Sequence, residues 1–227
     1  AILAGIYENI QRDAFLVHWL NSVAPPRIDN TTIQDQEIQN ILKEFSRYGF
    51  DVIFLNTTLD LQVPSCACVL IDQTNRGPKV TLGGGCGPVF EQALMRSLTE
   101  ALGVYHWLRL RPAEDFRMLG DNYAPFRDPD IKQDARLLLW GHPGMFSRID
   151  FFLSGRIQST ADAQQYPQIF ENSAKEREYV LNILRSKGKG YEVYTYKAKH
   201  KILSDLGYVS MRVVIPALIP LYLNEPD

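Results

Sequence analysis

Residues 81–107, TLGGGCGPVFEQALMRSLTEALGVYHW, constrain the fold more than any other stretch of this chain. They open with Gly83, Gly84, Gly85 and Gly87 around Cys86, and glycine lets a backbone approach its neighbour with no Cβ in the way. Pro88 follows, its fixed φ suited to a first helical residue. Beyond it Phe90, Leu94, Ser97, Ala101, Tyr105 and Leu108 recur at helical spacing and predict one packed face. Gln92, Arg96, Thr99, Glu100, Gly103 and His106 make a polar face beside it. The pattern predicts a flexible glycine turn running into a helix N-terminus, where amides and dipole favour anions such as phosphate. A plain turn feeding a salt-bridged surface helix has the same spacing.

Around that stretch the chain alternates helix and strand. Residues 1–21 form a predicted amphipathic helix with Ile2, Leu3, Ile6, Ile10, Ala14 and Val17 towards a core. Glu8, Gln11, Arg12, Phe15 and Trp19 share another face. Taken alone, the Glu8–Arg12 pair is a surface ion pair, and the aromatics are packing groups. Residues 31–48 predict a second helix, capped by Thr32 and closed by Gly49. Residues 51–56, 65–72 and 79–82 predict strands. From 109 to 133, Pro112, Pro125 and Pro129 interrupt any periodicity, so a long loop is expected. Its arginines (Arg109, Arg111, Arg117, Arg127) are either solvated or available to phosphate. A helix at 173–187, a strand at 191–196, a short helix at 202–206 and a strand at 210–215 follow. The expected fold is α/β in the mixed α+β sense, a mixed sheet with packed helices.

Twenty-four basic against 26 acidic residues leave a formal charge of −2, which offers no bulk attraction to nucleic acid or anionic membrane. The longest apolar run, 213–223, is too short to span a bilayer and contains Pro216 and Pro220. Cys66 and Cys68, two apart on a strand, fit small hydrophobes on one face rather than a disulfide or zinc framework. A reduced, cytoplasmic compartment is expected. The chain begins in helical rhythm, with neither methionine nor a basic signal region, so further chain upstream is expected.

Three blocks together resemble the YcaO-domain family. Residues 5–15, GIYENIQRDAF, followed by His18-Trp19-Leu20, resemble its G-x-x-E-x-x-E-R-D-A-F…W segment. Residues 85–101, including ALMRSLTEA at 93–101, resemble its glycine turn and A-L-x-R-A-L-T-E-A helix. The end, MRVVIPALIPL at 211–221, is similar to R-V-V-V-P-G-L-x-P-L. The blocks occur in family order and span nearly the whole chain, residues 1–227 then being the C-terminal portion of one YcaO-like domain.

The resemblance implies ATP- and magnesium-dependent modification of a peptide backbone amide in a ribosomal peptide natural product. In azole-forming members, a Cys, Ser or Thr side chain attacks the preceding carbonyl and ATP phosphorylates the resulting oxyanion. Loss of phosphate leaves an azoline, so positioning and charge neutralisation dominate the enzyme's task. Glu8 then matches a magnesium-holding carboxylate, and Arg12 the arginine paired to that site, its fork suited to phosphate oxygens. Arg96 is a second candidate phosphate contact, and Glu100 matches the helix motif's glutamate. No catalytic side chain is identified by the resemblance. A precursor peptide is the implied substrate, with a leader-binding or activating-enzyme-like protein and a homodimer as further expected partners.

Departures from the pattern point to a second expectation, a degenerate or accessory module that binds a peptide or partner without turnover. Gln11 stands where the family commonly has a second glutamate; its amide oxygen can still ligate magnesium but brings no charge, so weaker metal affinity is expected. Gly103 stands where azole-forming members often carry glutamine, and Ala217 replaces glycine. A third expectation sets the resemblance aside and takes the glycine turn as the site of a phosphorylated small molecule.

Overall fold

A computed structural model of the protein describes residues 1–112, 115, 133–163 and 169–221. Most of the expected loop at 109–133, with Arg117, Pro125, Arg127 and Pro129, lies outside the described residues.

The main sheet is mixed and has five strands: β1 (Arg27–Ile28), β2 (Phe50–Asn56), β3 (Ser65–Asp72), β4 (Val80–Cys86) and β5 (Ile157–Gln158). Their order is β4-β3-β2-β1-β5, with antiparallel neighbours except the parallel β1–β5 pair. Every residue of β3 is buried, so the sheet is covered on both faces. Alternation divides those residues between two cores. Cys66, Cys68 and Leu70 pack with Ile38 of helix α2 (Gln36–Arg47) and with Phe90, Leu94 and Leu98 of α3 (Phe90–Arg109). Ala67, Val69 and Ile71 pack on the other side with Phe15 and Trp19 of α1 (Ile2–Leu20) and with Phe152.

The helical faces follow the sequence period. Phe90, Leu94, Ser97, Ala101, Tyr105 and Leu108 are all buried on α3. On α1, Ile6, Ile10 and Ala14 are buried together with Tyr7 and Leu16. Phe15 and Trp19 stack on each other with ring centroids 5.5 Å apart, as packing groups should. The three cysteines are free and buried, with Cys66 and Cys68 in one core.

Three local expectations are corrected. The glycines make no turn: β4 runs through Gly83, Gly84 and Gly85 in ladder with β3, Cys68 opposite Gly83. A Cβ at Gly83 would overlap the main chain at Ser97 and Ala101, and one at Gly85 would sit 2.6 Å from Ser97 N. Glycine is needed there because α3 lies backbone against backbone on the strand. Second, α3 starts at Phe90 behind an extended Val89, and Pro88 precedes the cap instead of opening the helix. Third, Asp35, not Thr32, caps α2, its Oδ1 accepting from Ile38 N at 3.0 Å. Thr32 instead belongs to a 3-10 turn, where its hydroxyl donates to Asp29 O at 2.7 Å. Gly49 follows α2 with φ +81°, the left-handed position expected of a closing glycine.

After β4 and α3 come α4 (Gln133–Gly141), α5 (Asp150–Leu153), α6 (Thr160–Ala163) and α7 (Ser173–Ser186), which Asn172 caps. The chain then forms β6 (Tyr194–Lys197), α8 (Lys201–Asp205) and β7 (Met211–Val214). Among the described residues, strands β6 and β7 pair only with each other, as a two-stranded sheet apart from the main one. It leans on α1 through Val213, whose side chain occupies the space a Cβ on Gly5 would take. Among the described residues no helix is long and apolar enough to cross a membrane.

Candidate functional site

A cavity of about 950 Å³ opens between α1, α3 and α7. Glu8 and Gln11 reach it from α1, Arg96 and Glu100 from α3, and Glu176 and Arg177 from α7. Tyr7, Gly84 and Cys86 form part of its wall, and Val209 and Met211 its rim towards β7. Four of the five residues singled out from the sequence therefore share one cavity. The fifth, Arg12, is not among its lining groups.

Arg12 instead meets Glu8. Its Nε donates to Glu8 Oε1 at 2.7 Å, with both side chains a little under half exposed. A pair this wet stabilises the helix by only about 0.3–0.5 kcal/mol, so its consequence is orientation more than stability. Gln11, one turn from Glu8 on the same helix, donates its Nε2 to Glu100 Oε2 at 3.3 Å. The same carboxylate oxygen accepts Gly84 N–H at 3.2 Å. Glu100 therefore bridges α3, the β4 edge and α1.

Although Glu100 as a residue is exposed, its carboxyl end is crowded by the wall. Burial holds that carboxyl above the usual carboxylate range, and the nearby charge of Glu8 pushes the same way. The Gly84 N–H, Gln11 and Arg12 oppose the shift without cancelling it. Two carboxylates in one cavity, one reluctant to ionise, are a place where a cation relieves repulsion.

Arg96 is held on the same α3 wall, one turn before Glu100. Its Nη1 donates to Cys86 O, and its guanidinium lies over the Tyr7 ring at 5.6 Å from the centroid. Tyr7 in turn donates its hydroxyl to Glu176 Oε1 at 2.7 Å. Burial and the Glu176 carboxylate both raise the Tyr7 pKa, so this hydroxyl stays a donor. Burial likewise pushes the Cys86 thiol up to about 12, leaving it a packed apolar group and no nucleophile.

Tyr7 and Glu176 were missed from sequence. Tyr7 reads as a core aromatic beside a charged neighbour, and Glu176 lies 169 residues away on a helix with no motif. The α3 N-terminus, the expected anion site, does not line the cavity. The helix contributes Met95, Arg96, Thr99 and Glu100 from its middle.

A model of the YcaO cyclodehydratase family, described as ATP- and Mg2+-binding, matches residues 1–219. The chain belongs to the YcaO family. Among solved structures, a heterocyclase in complex with substrate and cofactor superposes with TM-score 0.74 at 20% identity, covering 96% of this chain and 26% of that one. YcaO from Methanopyrus kandleri, bound with AMPPCP and Mg2+, gives TM-score 0.67 at 16% identity over 95% of this chain and 51% of that one. A curated relative from Rhizobium leguminosarum bv. trifolii, an uncharacterized protein in the tfuA 3′ region, is 30% identical over 110 residues. That match covers 44% of this chain and 26% of the relative. The chain thus spans about a quarter of the curated relative and of the heterocyclase, and about half of the Methanopyrus protein. At these identities the structural likenesses establish the YcaO fold, a mixed sheet with packed helices.

The donor set of the cavity suits the family's ligands. Mg2+ takes hard oxygen donors and is commonly held by one or two carboxylates, with phosphate oxygens and water completing the shell. Glu8 and Glu100 are two carboxylates, and Gln11 adds an amide oxygen. Among the described residues no cluster of three or more His, Cys, Asp or Glu forms an all-protein metal cage. Arg96 and Arg177 are the guanidinium groups among the lining residues, a side-chain type suited to phosphate oxygens.

Proposed function

We propose that this chain forms part of the ATP–Mg2+ site of a YcaO enzyme that modifies a peptide backbone amide, converting Cys, Ser or Thr residues of a ribosomal precursor peptide to azolines. The observation that carries the reading is convergence: Glu8 and Gln11 from α1 and Arg96 and Glu100 from α3 line one cavity. Glu8 and Glu100 hold Mg2+, with the Gln11 amide oxygen as a neutral third donor. Arg12 fixes the Glu8 carboxylate by its 2.7 Å contact and leaves the phosphates to Arg96. Arg96 arrives already placed by Cys86 O and the Tyr7 ring, so little side-chain freedom is lost when it meets an anion. When bound, ATP and Mg2+ supply activation of an amide oxygen by phosphoryl transfer with the developing charge neutralised. Two structural neighbours support a peptide as substrate: a heterocyclase in complex with substrate and cofactor, and the Escherichia coli microcin synthetase McbBCD complex with pro-MccB17 bound.

Calorimetry on the complete native polypeptide tests the site. Glu8→Ala and Glu100→Gln should each weaken Mg2+-AMPPCP binding by on the order of tenfold, as should Arg96→Ala. Peptide-stimulated ADP release should fall in the same variants. Unaltered nucleotide affinity in all three would overturn the assignment.

One observation favours a second reading, an accessory module that binds peptide or a partner without turnover. The Gln11 amide N–H donates to the Glu100 carboxylate, a contact that itself requires no metal. Absence of any Mg2+-AMPPCP binding by the native polypeptide would select this reading.

A further inference from the structure

Among the described residues, strand β6 has one open side. Its ladder to β7 runs through Tyr194 opposite Val214 and Tyr196 opposite Arg212, and continues with Ala198 N–H on Ser210 O at 3.0 Å. Residues of an antiparallel ladder turn their backbone groups alternately inward and outward. Thr195 and Lys197 therefore present N–H and C=O on the side away from β7. On the far side of β7 the equivalent acceptor is used, since Asn9 Nδ2 donates to Val213 O at 3.1 Å. Among the described residues none bonds the outward backbone of Thr195 or Lys197.

The surface around this edge is aromatic and basic. Tyr194 and Tyr196 share one face of β6 with Val214 across the ladder, and all three are exposed, Tyr196 by 64%. Ile202 of α8, Leu206 just past its end and Tyr208 are exposed apolar side chains of the same segment. Residues 194–214 also carry Lys197, Lys199, Lys201 and Arg212, with Asp205 as their one acid. An open edge with such side chains suits strand addition, backbone bonds giving affinity and alternate side chains selectivity. Its charge selects an acidic partner. Its position selects a peptide continuous with the cavity, because Lys197 pairs with Met211, which lines the cavity rim together with Val209.

We propose that β6 receives an extended acidic segment of a peptide as an added strand, its Lys197 end leading that peptide towards the cavity. The proposal rests on the function above only in making this peptide the substrate, and docking is measured without nucleotide.

The test is fluorescence anisotropy on the complete native polypeptide with two labelled probes, a short peptide of alternating glutamate and valine and its lysine–valine counterpart. The acidic probe should bind more tightly, and the more so at low salt. Thr195→Pro removes an outward N–H and leaves the β7 ladder intact, as proline is tolerated on an edge. It should weaken the acidic probe on the order of tenfold, with an unchanged melting temperature. The double variant Lys197→Glu with Lys199→Glu should reverse the preference between probes. Equal binding by Thr195→Pro and native protein, equal affinity for both probes, or no binding of either would each overturn the proposal. So would a lowered melting temperature in Thr195→Pro, since the edge would then be paired within the native polypeptide or its dimer. Nucleotide affinity is read separately with Glu8→Ala, so either result can fail while the other stands.

Discussion

Gln11 Nε2 donates to Glu100 Oε2 across 3.3 Å, so an uncharged amide is tied to a carboxylate that a glutamate at the same position would repel. A glutamate at position 11 would bring a third negative charge beside Glu8 and Glu100. We expect Gln11→Glu to lower thermal stability without metal and to raise Mg2+ affinity in the presence of AMPPCP. Melting curves with and without Mg2+ check this, and a variant as stable as the native protein in EDTA would contradict it.

The pH dependence follows from Glu100. Its carboxyl pKa is raised in the folded state, so its ionisation opposes folding. The stability this group contributes is complete below the unfolded carboxylate range and is lost as pH rises through the raised folded value. Glu100→Gln should therefore be more stable than the native protein at neutral pH, the difference closing on acidification. Mg2+ binding should weaken over the same acid window as Glu100 takes up its proton. A constant stability difference from neutral to acid pH would refute the assignment.

Two glycines of one helix–strand unit should respond oppositely. Gly83→Ala places a methyl against the main chain of Ser97 and Ala101 and should destabilise by about 3 kcal/mol or prevent folding. Gly103, on the outer face of α3, has no atom within 4 Å of an added Cβ. Gly103→Ala should stabilise by about 1 kcal/mol through helix propensity alone. Denaturant unfolding of both variants measures the contrast.

Tyr7→Phe removes the hydroxyl that Glu176 accepts and keeps the ring under Arg96. A loss of about 1 kcal/mol in stability is expected, with nucleotide affinity little changed. Tyr7→Leu removes the ring as well and should weaken Mg2+-AMPPCP binding. Equal nucleotide affinity in the two variants would show that the ring does not hold Arg96.

What the sequence disclosed depended on the length scale of each cause. Helical faces were legible because period and burial are local, as with Phe90, Leu94 and Leu108 on α3. Gly83 and Gly85 were misplaced into a turn because glycine signals missing bulk without saying what approaches. The Thr32 cap failed because Asp35, three residues on, accepts from the helix amides directly. Glu8, Gln11, Arg96 and Glu100, which line one cavity, were singled out through family motifs. Tyr7 and Glu176 meet only through folding over 169 residues, which no spacing rule reports.

Main-chain atoms alone set the distance between β4 and α3 at Gly83 and Gly85, where no side chain intervenes. Substitution cannot shim that seam wider or narrower. Arg96 and Glu100 consequently stand on a wall of fixed position, and any drift in what the cavity accepts must be written on the two walls facing it.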